Sequence, residues 1–485
     1  MSQLPPDPFE QGGLARFARD FRAGRTSSLE VTRAYIARID ALDPRLQAFQ
    51  YIDREGAIAT ARAMDALRAA GTDLGPLMGV PVAVKDVFAI DGFPTPTAGS
   101  LMDFSAMAGD RQGPFVTALR RCGVVILGTT KAVELCLGIT GASTPRGTPW
   151  NPWDAGVHRV PGGSSSGSGV ACGAGLCAFA IGTDTGGSVR VPSAFNGVFG
   201  LKTSFGHWPT AAGVPLHPDV DTIGLLTRGA ADARLAFDAI DAQLFGYRHE
   251  PARRRVRIDR LRVGIPENYY YDGLDPAIRQ AVDAANARLE SAGAQLAPIR
   301  ITEAPEREAW FPVALPVSCL ALFGGDTLKE AAPTMDPIVS ARVESGRDVA
   351  ASDYFALELR RRQSGREALR YFDEVDVIAT PTTVDLPPPL SAFDDPDQAM
   401  RHAMGMTRNT QPSNYLGQCA VSLPLPRPSG ELPVGYQLIG APGRDGELLA
   451  VAAAIEEVLG PAGRPDLGGF IDRDDQLTRR SRPSQ

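Results

Sequence analysis

The sequence predicts an α/β protein built on one mixed β-sheet covered by helices. Two observations carry this. Short apolar runs with strand character alternate with helix-period segments along most of the chain, and no internal repeat interrupts them. At 485 residues the length suits about three small domains or one large enzyme fold, and the unbroken alternation selects the second.

Residues 27–42 read as an amphipathic helix, because Ser27 and Glu30 make a capping box and Val31, Tyr35, Ile39 and Leu42 recur at helical spacing. A second helix follows at 55–70. In GPLMGVPVAVKDVF (75–88) the period switches, and Val80, Val82 and Val84 suit a short buried strand ending at Lys85. A helix at 114–122 and a buried strand at 123–130 come next. Glycine, serine and alanine then dominate residues 161–200, where AFAI (178–181) is an apolar strand. A helix is expected at 230–243. The basic stretch from Arg253-Arg254-Arg255 to Arg262 lacks interleaved aromatics, so it reads as a solvated connection rather than a nucleic-acid patch. The second half continues with strands at 261–266, 375–383, 420–424 and 434–440, and helices near 276–292 and at 445–459. Residues 1–460 form the expected domain; 461–485, with Arg479, Arg480 and Arg482, form a polar C-terminal tail.

Composition excludes several classes. With 44% apolar and 22% charged residues the chain is neither a disordered acidic protein nor a collagenous one. A net charge of −7 argues against a nucleic-acid-coating or polybasic membrane-surface protein. The six cysteines show no CxxC pair, and Cys172 and Cys177 read as reduced core residues. The five histidines form no HExxH or comparable cluster, so no metal is expected. No signal-like N-terminus and no run of 18 apolar residues is present, and the expected location is the cytoplasm.

The basic residues hold a sharper clue. Only Lys85, Lys131, Lys202 and Lys329 are lysine; the other 45 of 49 are arginine. Lysine can lose its proton and act as a base, whereas arginine cannot. Codon bias explains stray lysines, but Lys85 closes a buried strand.

Two segments frame the chemistry: PGGSSSGSG (161–169) and GTDTGGSVRVPSAFNG (182–197). Both contain GxxxxG followed by serine, yet each lacks the lysine of a phosphate-binding P-loop. Gly163-Ser164-Ser165-Ser166-Gly167 formally matches a nucleophile elbow, but Pro161 and a polar stretch stand where a strand should enter. In a third reading Ser188 is a nucleophile served by lysine. It follows the AFAI strand in a turn whose glycines, Gly186 and Gly187, let backbone N–H groups approach a substrate carbonyl. Glycines that merely pack a helix against a sheet would look the same, so the segment alone leaves both readings open.

The three segments together resemble the amidase signature family. GVPVAVKDV around Lys85 is similar to its lysine strand, PGGSSSGSG to its glycine-serine loop and GTDTGGSVRVP to its nucleophile segment, with 24 residues from Ser164 to Ser188. The resemblance extends to NPW (151–153), VIATPTT and SNYLGQCAVSLP, and covers about residues 14–460. It implies a single large mixed β-sheet covered by helices on both faces, with Ser188 as nucleophile. Ser164, held by a cis peptide, would be the bridging serine and Lys85 the base. The N–H groups of Thr185, Gly186, Gly187 and Ser188 would form the oxyanion hole, and Asp184 and Arg190 would brace the loop as a charge-assisted pair. No cofactor is implied.

Departures bear on the substrate. Ser166 stands where many members have glycine, and Val191 replaces the glutamine usual in the glutamyl-tRNA amidotransferase members of the family. TSFGHWPT follows Lys202, and Gln418-Cys419 replaces a proline-containing pair. These features favour a stand-alone amidohydrolase acting on a small carboxamide or ureido substrate through an acyl-serine. The alternative is the A-type component of a glutamyl-tRNA amidotransferase complex. No nucleic acid or membrane partner is expected, and a homodimer is the default assembly.

Overall fold

The computed structural model describes residues 4–10, 12–109, 111–246 and 256–471. Eleven strands form one sheet: β1 (Phe49–Ile52), β2 (Pro81–Lys85), β3 (Val125–Thr130), β4 (Phe179–Asp184), β5 (Phe199–Lys202), β6 (Thr222–Thr227), β7 (Arg262–Pro266), β8 (Gln295–Ile299), β9 (Val377–Pro381), β10 (Cys419–Pro424) and β11 (Gly435–Gly440). Their spatial order is β1-β3-β2-β4-β6-β5-β10-β11-β9-β7-β8. The sheet is mixed, as the alternation predicts. β2 runs parallel to both β3 and β4, and β7 parallel to both β8 and β9, while the remaining neighbours are antiparallel. Helices cover both faces, and every residue of β2, β3, β10 and β11 is buried. Such strands read as continuous apolar runs rather than as alternation.

The parallel trio places the chemistry. Because β3, β2 and β4 point the same way, their carboxyl ends open on one edge of the sheet. That edge receives Lys85 at the end of β2, the Lys131–Thr144 segment after β3, and the turn through Ser188 after β4. Crevices beyond the carboxyl ends of parallel strands are where α/β sheets bind ligands.

Most expected elements are present with shifted ends. The first long helix runs Ser28–Leu46, capped by the Ser27 hydroxyl accepting the Glu30 N–H at 3.0 Å; it passes Pro44 because Leu46 is still fully buried. Helices Arg54–Ala69, Pro114–Arg121, Ala230–Phe245, Pro276–Ser291 and Asp445–Leu459 match the pattern. The pattern does not predict strands β1, β5, β6 and β8, nor the helices of residues 307–374. Pro312 and Pro316 sit inside the helix Arg307–Phe323, where proline ordinarily breaks the pattern. Packing overrides them, since Trp310 and Phe311 are buried.

One boundary needs correction. Residues 461–471 are not a free polar tail: Leu467 and Phe470 are buried, Phe470 meets Trp150 edge-on, and the Arg45 guanidinium lies 4.6 Å over its ring. Two apolar side chains among polar neighbours are enough to dock the segment. The Arg253–Arg255 stretch and Arg479, Arg480 and Arg482 lie outside the described residues.

A buried carboxyl joins two helices. Glu456 accepts the Ala230 N–H at 3.0 Å, capping the helix Ala230–Phe245 from the neighbouring Asp445–Leu459 helix. Burial pushes its carboxyl up from 4.5 to about 7. A raised carboxyl stabilises the fold fully below its unfolded value, and that contribution is lost as pH rises through about 7. Glu456→Gln keeps the acceptor and removes the charge. The variant-minus-wild-type Tm difference, read by thermal unfolding, should therefore be more positive at pH 8 than at pH 5 by a few degrees. An equal difference at both values would show that Glu456 does not titrate with folding.

Candidate active site

Lys85 ends β2 fully buried, and its Nζ meets two hydroxyls: Ser164 Oγ at 2.8 Å and Thr183 Oγ1 at 2.7 Å. Neither partner is charged, and no carboxylate lies within ion-pair distance among the described residues. A neutral amine can accept from one hydroxyl while donating to the other. Ser164 is 1% exposed and follows a cis Gly163–Ser164 peptide bond. Its loop is pinned from the segment after β3. Gly163 N–H donates to Ile139 C=O (2.6 Å), Gly162 N–H to Thr140 C=O (3.0 Å), and Val133 N–H to Ser164 C=O (3.1 Å).

Ser188 lies in the turn between β4 and the helix Arg190–Asn196, only 5% exposed. The Ser165 N–H donates to its carbonyl at 3.2 Å, tying the two serine segments together. No described hydrogen bond joins the Ser164 and Ser188 hydroxyls; such contacts are often loose before substrate binds.

The turn is wound around one carboxylate. Asp184 accepts the N–H groups of Gly187 (2.8 Å) and Val189 (3.1 Å), and is held two-pronged by Arg190 Nε (3.0 Å) and Nη2 (2.9 Å). Both side chains are fully buried. Burial alone would raise the Asp184 carboxyl, but Arg190's charge and hydrogen bonds win and hold it well below the usual carboxylate range. Arg190 spends its other donors on Thr410 C=O (2.9 Å), Ser413 Oγ (2.6 Å), Gln437 Oε1 (2.7 Å) and Asn414 Oδ1 (2.5 Å). One guanidinium thus joins the turn to β11 and to the helix Gln411–Tyr415.

This winding corrects the expected donor set. The Gly187 N–H already serves Asp184, so it is not free for an oxyanion, whereas no described hydrogen bond uses the N–H of Thr185, Gly186 or Ser188. Gly187 remains obligatory for another reason. Its φ is +124°, and a Cβ there would sit 2.2 Å from Thr410 Oγ1.

The other candidates are engaged elsewhere. Ser165, centre of the elbow-like motif, exchanges hydrogen bonds with the Thr183 backbone at 3.2 Å. Lys202 is the other fully buried lysine, but its Nζ donates to the carbonyls of Thr203 (2.8 Å) and Gln418 (2.7 Å), away from the serines. Burial lowers it to about 8. Pattern reading passes over Thr183, Thr410, Asn414 and Asp221. Asp221 accepts the Thr185 hydroxyl at 2.6 Å, and its carboxyl is raised by burial. Thr183 is recoverable from sequence, since it lies two residues from the strand's apolar core on the same segment. The other three come from distant parts of the chain and carry no local signal. Thr183, Thr185 and Asp221 also border a cavity of about 20 Å³, with Phe88, Cys136 and Leu216.

Arg190→Met should strand the Asp184 carboxylate and destabilise the fold by about 3–5 kcal/mol. Adding Asp184→Asn should restore part of that loss, because the buried charge is gone. A denaturant-unfolding double-mutant cycle checks this; additive losses would show that the pair is not coupled.

Comparison with known proteins places the chain in a family. Residues 30–449 match the model of the Amidase family. The 2-amino-5-chloromuconic acid deaminase of Comamonas testosteroni is 39% identical, over 88% of this chain and 92% of that protein. The A component of the glutamyl-tRNA(Gln) amidotransferase of Symbiobacterium thermophilum is 33% identical, over 92% and 96% respectively. A crystal structure of an amidase aligns with a TM-score of 0.84 at 28% identity, covering 93% of this chain and 100% of that one. The 6-aminohexanoate cyclic dimer hydrolase with its substrate aligns at 0.78 and 25%, covering 94% and 99%. With the family model spanning most of the chain and the fold shared over 93% of it, the chain belongs to the amidase, or amidase signature, family.

Proposed function

We propose that the chain is a stand-alone amidohydrolase that cleaves the C–N bond of a small carboxamide or ureido compound through an acyl-Ser188 intermediate. The observation that carries this reading is the buried Lys85–Ser164 hydrogen bond of 2.8 Å, with the Ser188 turn tied to the adjacent residue Ser165.

The steps follow from the groups at hand. Ser188 Oγ bonds to the substrate carbonyl carbon while its proton passes to Ser164 Oγ, and the Ser164 proton passes to Lys85 Nζ. The carbonyl oxygen becomes an oxyanion, met by the N–H groups of Thr185, Gly186 and Ser188. Thr183 accepts a second hydrogen bond from Nζ and so orients the lysine lone pair toward Ser164. The relay then reverses: the lysine proton travels through Ser164 to the leaving nitrogen, the C–N bond breaks, and ammonia or an amine departs. Water attacks the Ser188 ester by the same route and restores the hydroxyl.

A relative at 39% identity bears a deaminase name, which supports release of ammonia by one chain. Likeness at 31–33% to the A components of several glutamyl-tRNA(Gln) amidotransferases supports the second reading, one member of a complex that needs partner chains. The Val191 and Gln418-Cys419 departures stand against it. Purified protein assayed alone for ammonia separates the two.

Two outcomes test the mechanism. A fluorophosphonate should attach to Ser188, as read by peptide mass spectrometry, and Ser188→Ala should lower kcat by about 10⁴-fold or more with the Tm nearly unchanged. Labelling at Ser165 instead would overturn the assignment. Lys85→Arg should be as inactive as Lys85→Ala, since a guanidinium cannot take a proton at working pH. An arginine variant with appreciable kcat/KM on a reactive amide would remove Lys85 from the base role.

A further inference from the structure

Two buried arginines of this fold are surrounded by acceptors. Arg190 meets five partners, and Arg38 spends its guanidinium on the carbonyls of Gly175, Ala174 and Pro5. Arg342 differs. It projects from the helix Pro337–Glu344, is half-buried, and makes one hydrogen bond, Nη1 to Leu137 C=O at 3.1 Å. Among the described residues no carboxylate pairs with it. Burial pushes its guanidinium down from arginine's ordinary value, and only the Cys319 thiol opposes this. Its remaining donors are not sealed among apolar atoms; the buried arginine nitrogens without a hydrogen bond belong to Arg68, Arg228 and Arg427.

The position of this cation gives it a use. Leu137 lies on the segment whose Ile139 and Thr140 carbonyls hold Gly163 and Gly162, the residues leading into Ser164. The Arg342 helix is seated on the same segment. Asp336 N–H donates to Glu134 Oε2 (2.6 Å), and the Thr144 hydroxyl donates to Asp336 Oδ2 (2.8 Å). Glu134 is turned away to Ser100 and Asp336, and Asp221 to Thr185, Leu216 and His217, so neither neutralises Arg342. A half-buried guanidinium with one hydrogen bond and no counter-ion among the described residues, fixed to the segment that pins the bridging-serine loop, is suited to an anion that arrives with the substrate.

We propose that Arg342 anchors a carboxylate of the substrate, so that the amide cleaved at Ser188 belongs to a small molecule that is itself an acid. This rests on the amidohydrolase reading above and narrows its substrate class. The planar fork of Arg342 takes both carboxylate oxygens and sets the distance at which the amide carbonyl meets Ser188.

The test compares acid amides with neutral isosteres in which a methyl group replaces the carboxylate: malonamate with propionamide, succinamate with butyramide, glutaramate with valeramide. The wild type should favour the acid at one or more chain lengths by about 10- to 150-fold in kcat/KM. Arg342→Gln and Arg342→Met should bring that ratio close to one, chiefly through KM, and Arg342→Lys should retain part of it. Arg347→Gln, a change at an exposed arginine on the following turn, should leave the ratio alone. Independently of turnover, malonate, succinate or glutarate should raise the Tm of Ser188→Ala, and not that of Ser188→Ala/Arg342→Gln. Equal wild-type rates on acids and neutral amides, or a ratio and Tm response unchanged in Arg342→Gln, would overturn the anchor. Absence of ammonia from every amide, with the dicarboxylate response intact, would instead overturn the amidohydrolase reading and leave the anchor standing.

Discussion

The Asp184–Arg190 ion pair is the constraint around which the active edge is organised. A carboxylate and a guanidinium fully removed from water are tolerated only when nearly every lone pair and N–H is satisfied. Satisfying them fixes the geometry. Asp184 folds the backbone from Gly187 to Arg190 around its oxygens, which places Ser188 at the head of the turn. Arg190 then draws in Thr410, Ser413, Asn414 and Gln437, residues more than 200 positions away in sequence. The pair costs desolvation and returns a single rigid conformation where the chemistry needs one.

A second constraint is strand direction. Three parallel strands bring Lys85, the Ser164-bearing loop and the Ser188 turn to a common edge, although 103 residues separate Lys85 from Ser188. Small residues make the approach close enough. A Cβ at Gly167 would meet the Ala48 carbonyl at 2.1 Å, so the helix Ser166–Gly173 can start beside the sheet only as glycine allows. Serine and glycine richness across 161–200 therefore serves close packing at this edge.

The far wall beside the two serine segments is supplied by another part of the chain. Phe311 reaches the Gly186 turn from the helix Arg307–Phe323, and Arg342 reaches the Leu137 segment from the helix Pro337–Glu344. These helices belong to the stretch where residue periodicity says least, with prolines inside helices and polar faces broken by buried arginines. On the proposed mechanism, substrate contacts come from the elements whose local sequence is least regular, while Lys85, Ser164 and Ser188 lie on or beside regular strands.

Local chemistry alone specifies several of these features. Apolar runs such as PVAVK and VILGTT specify buried strands, Ser27 caps its helix, and three ordered motifs carry the family resemblance around Lys85, Ser164 and Ser188. Each of these signals is complete within a dozen residues. How the pieces meet is set by folding. It engaged the Gly187 N–H with Asp184, gave Lys85 a second hydroxyl at Thr183, left Lys202 on backbone carbonyls, and docked Phe470 on Trp150. It also left Arg342 with no carboxylate partner among the described residues. The physical reason is the same in each case: a hydrogen bond or ion pair between segments far apart in sequence depends on which donors are already spent, and that accounting exists only once the chain has folded.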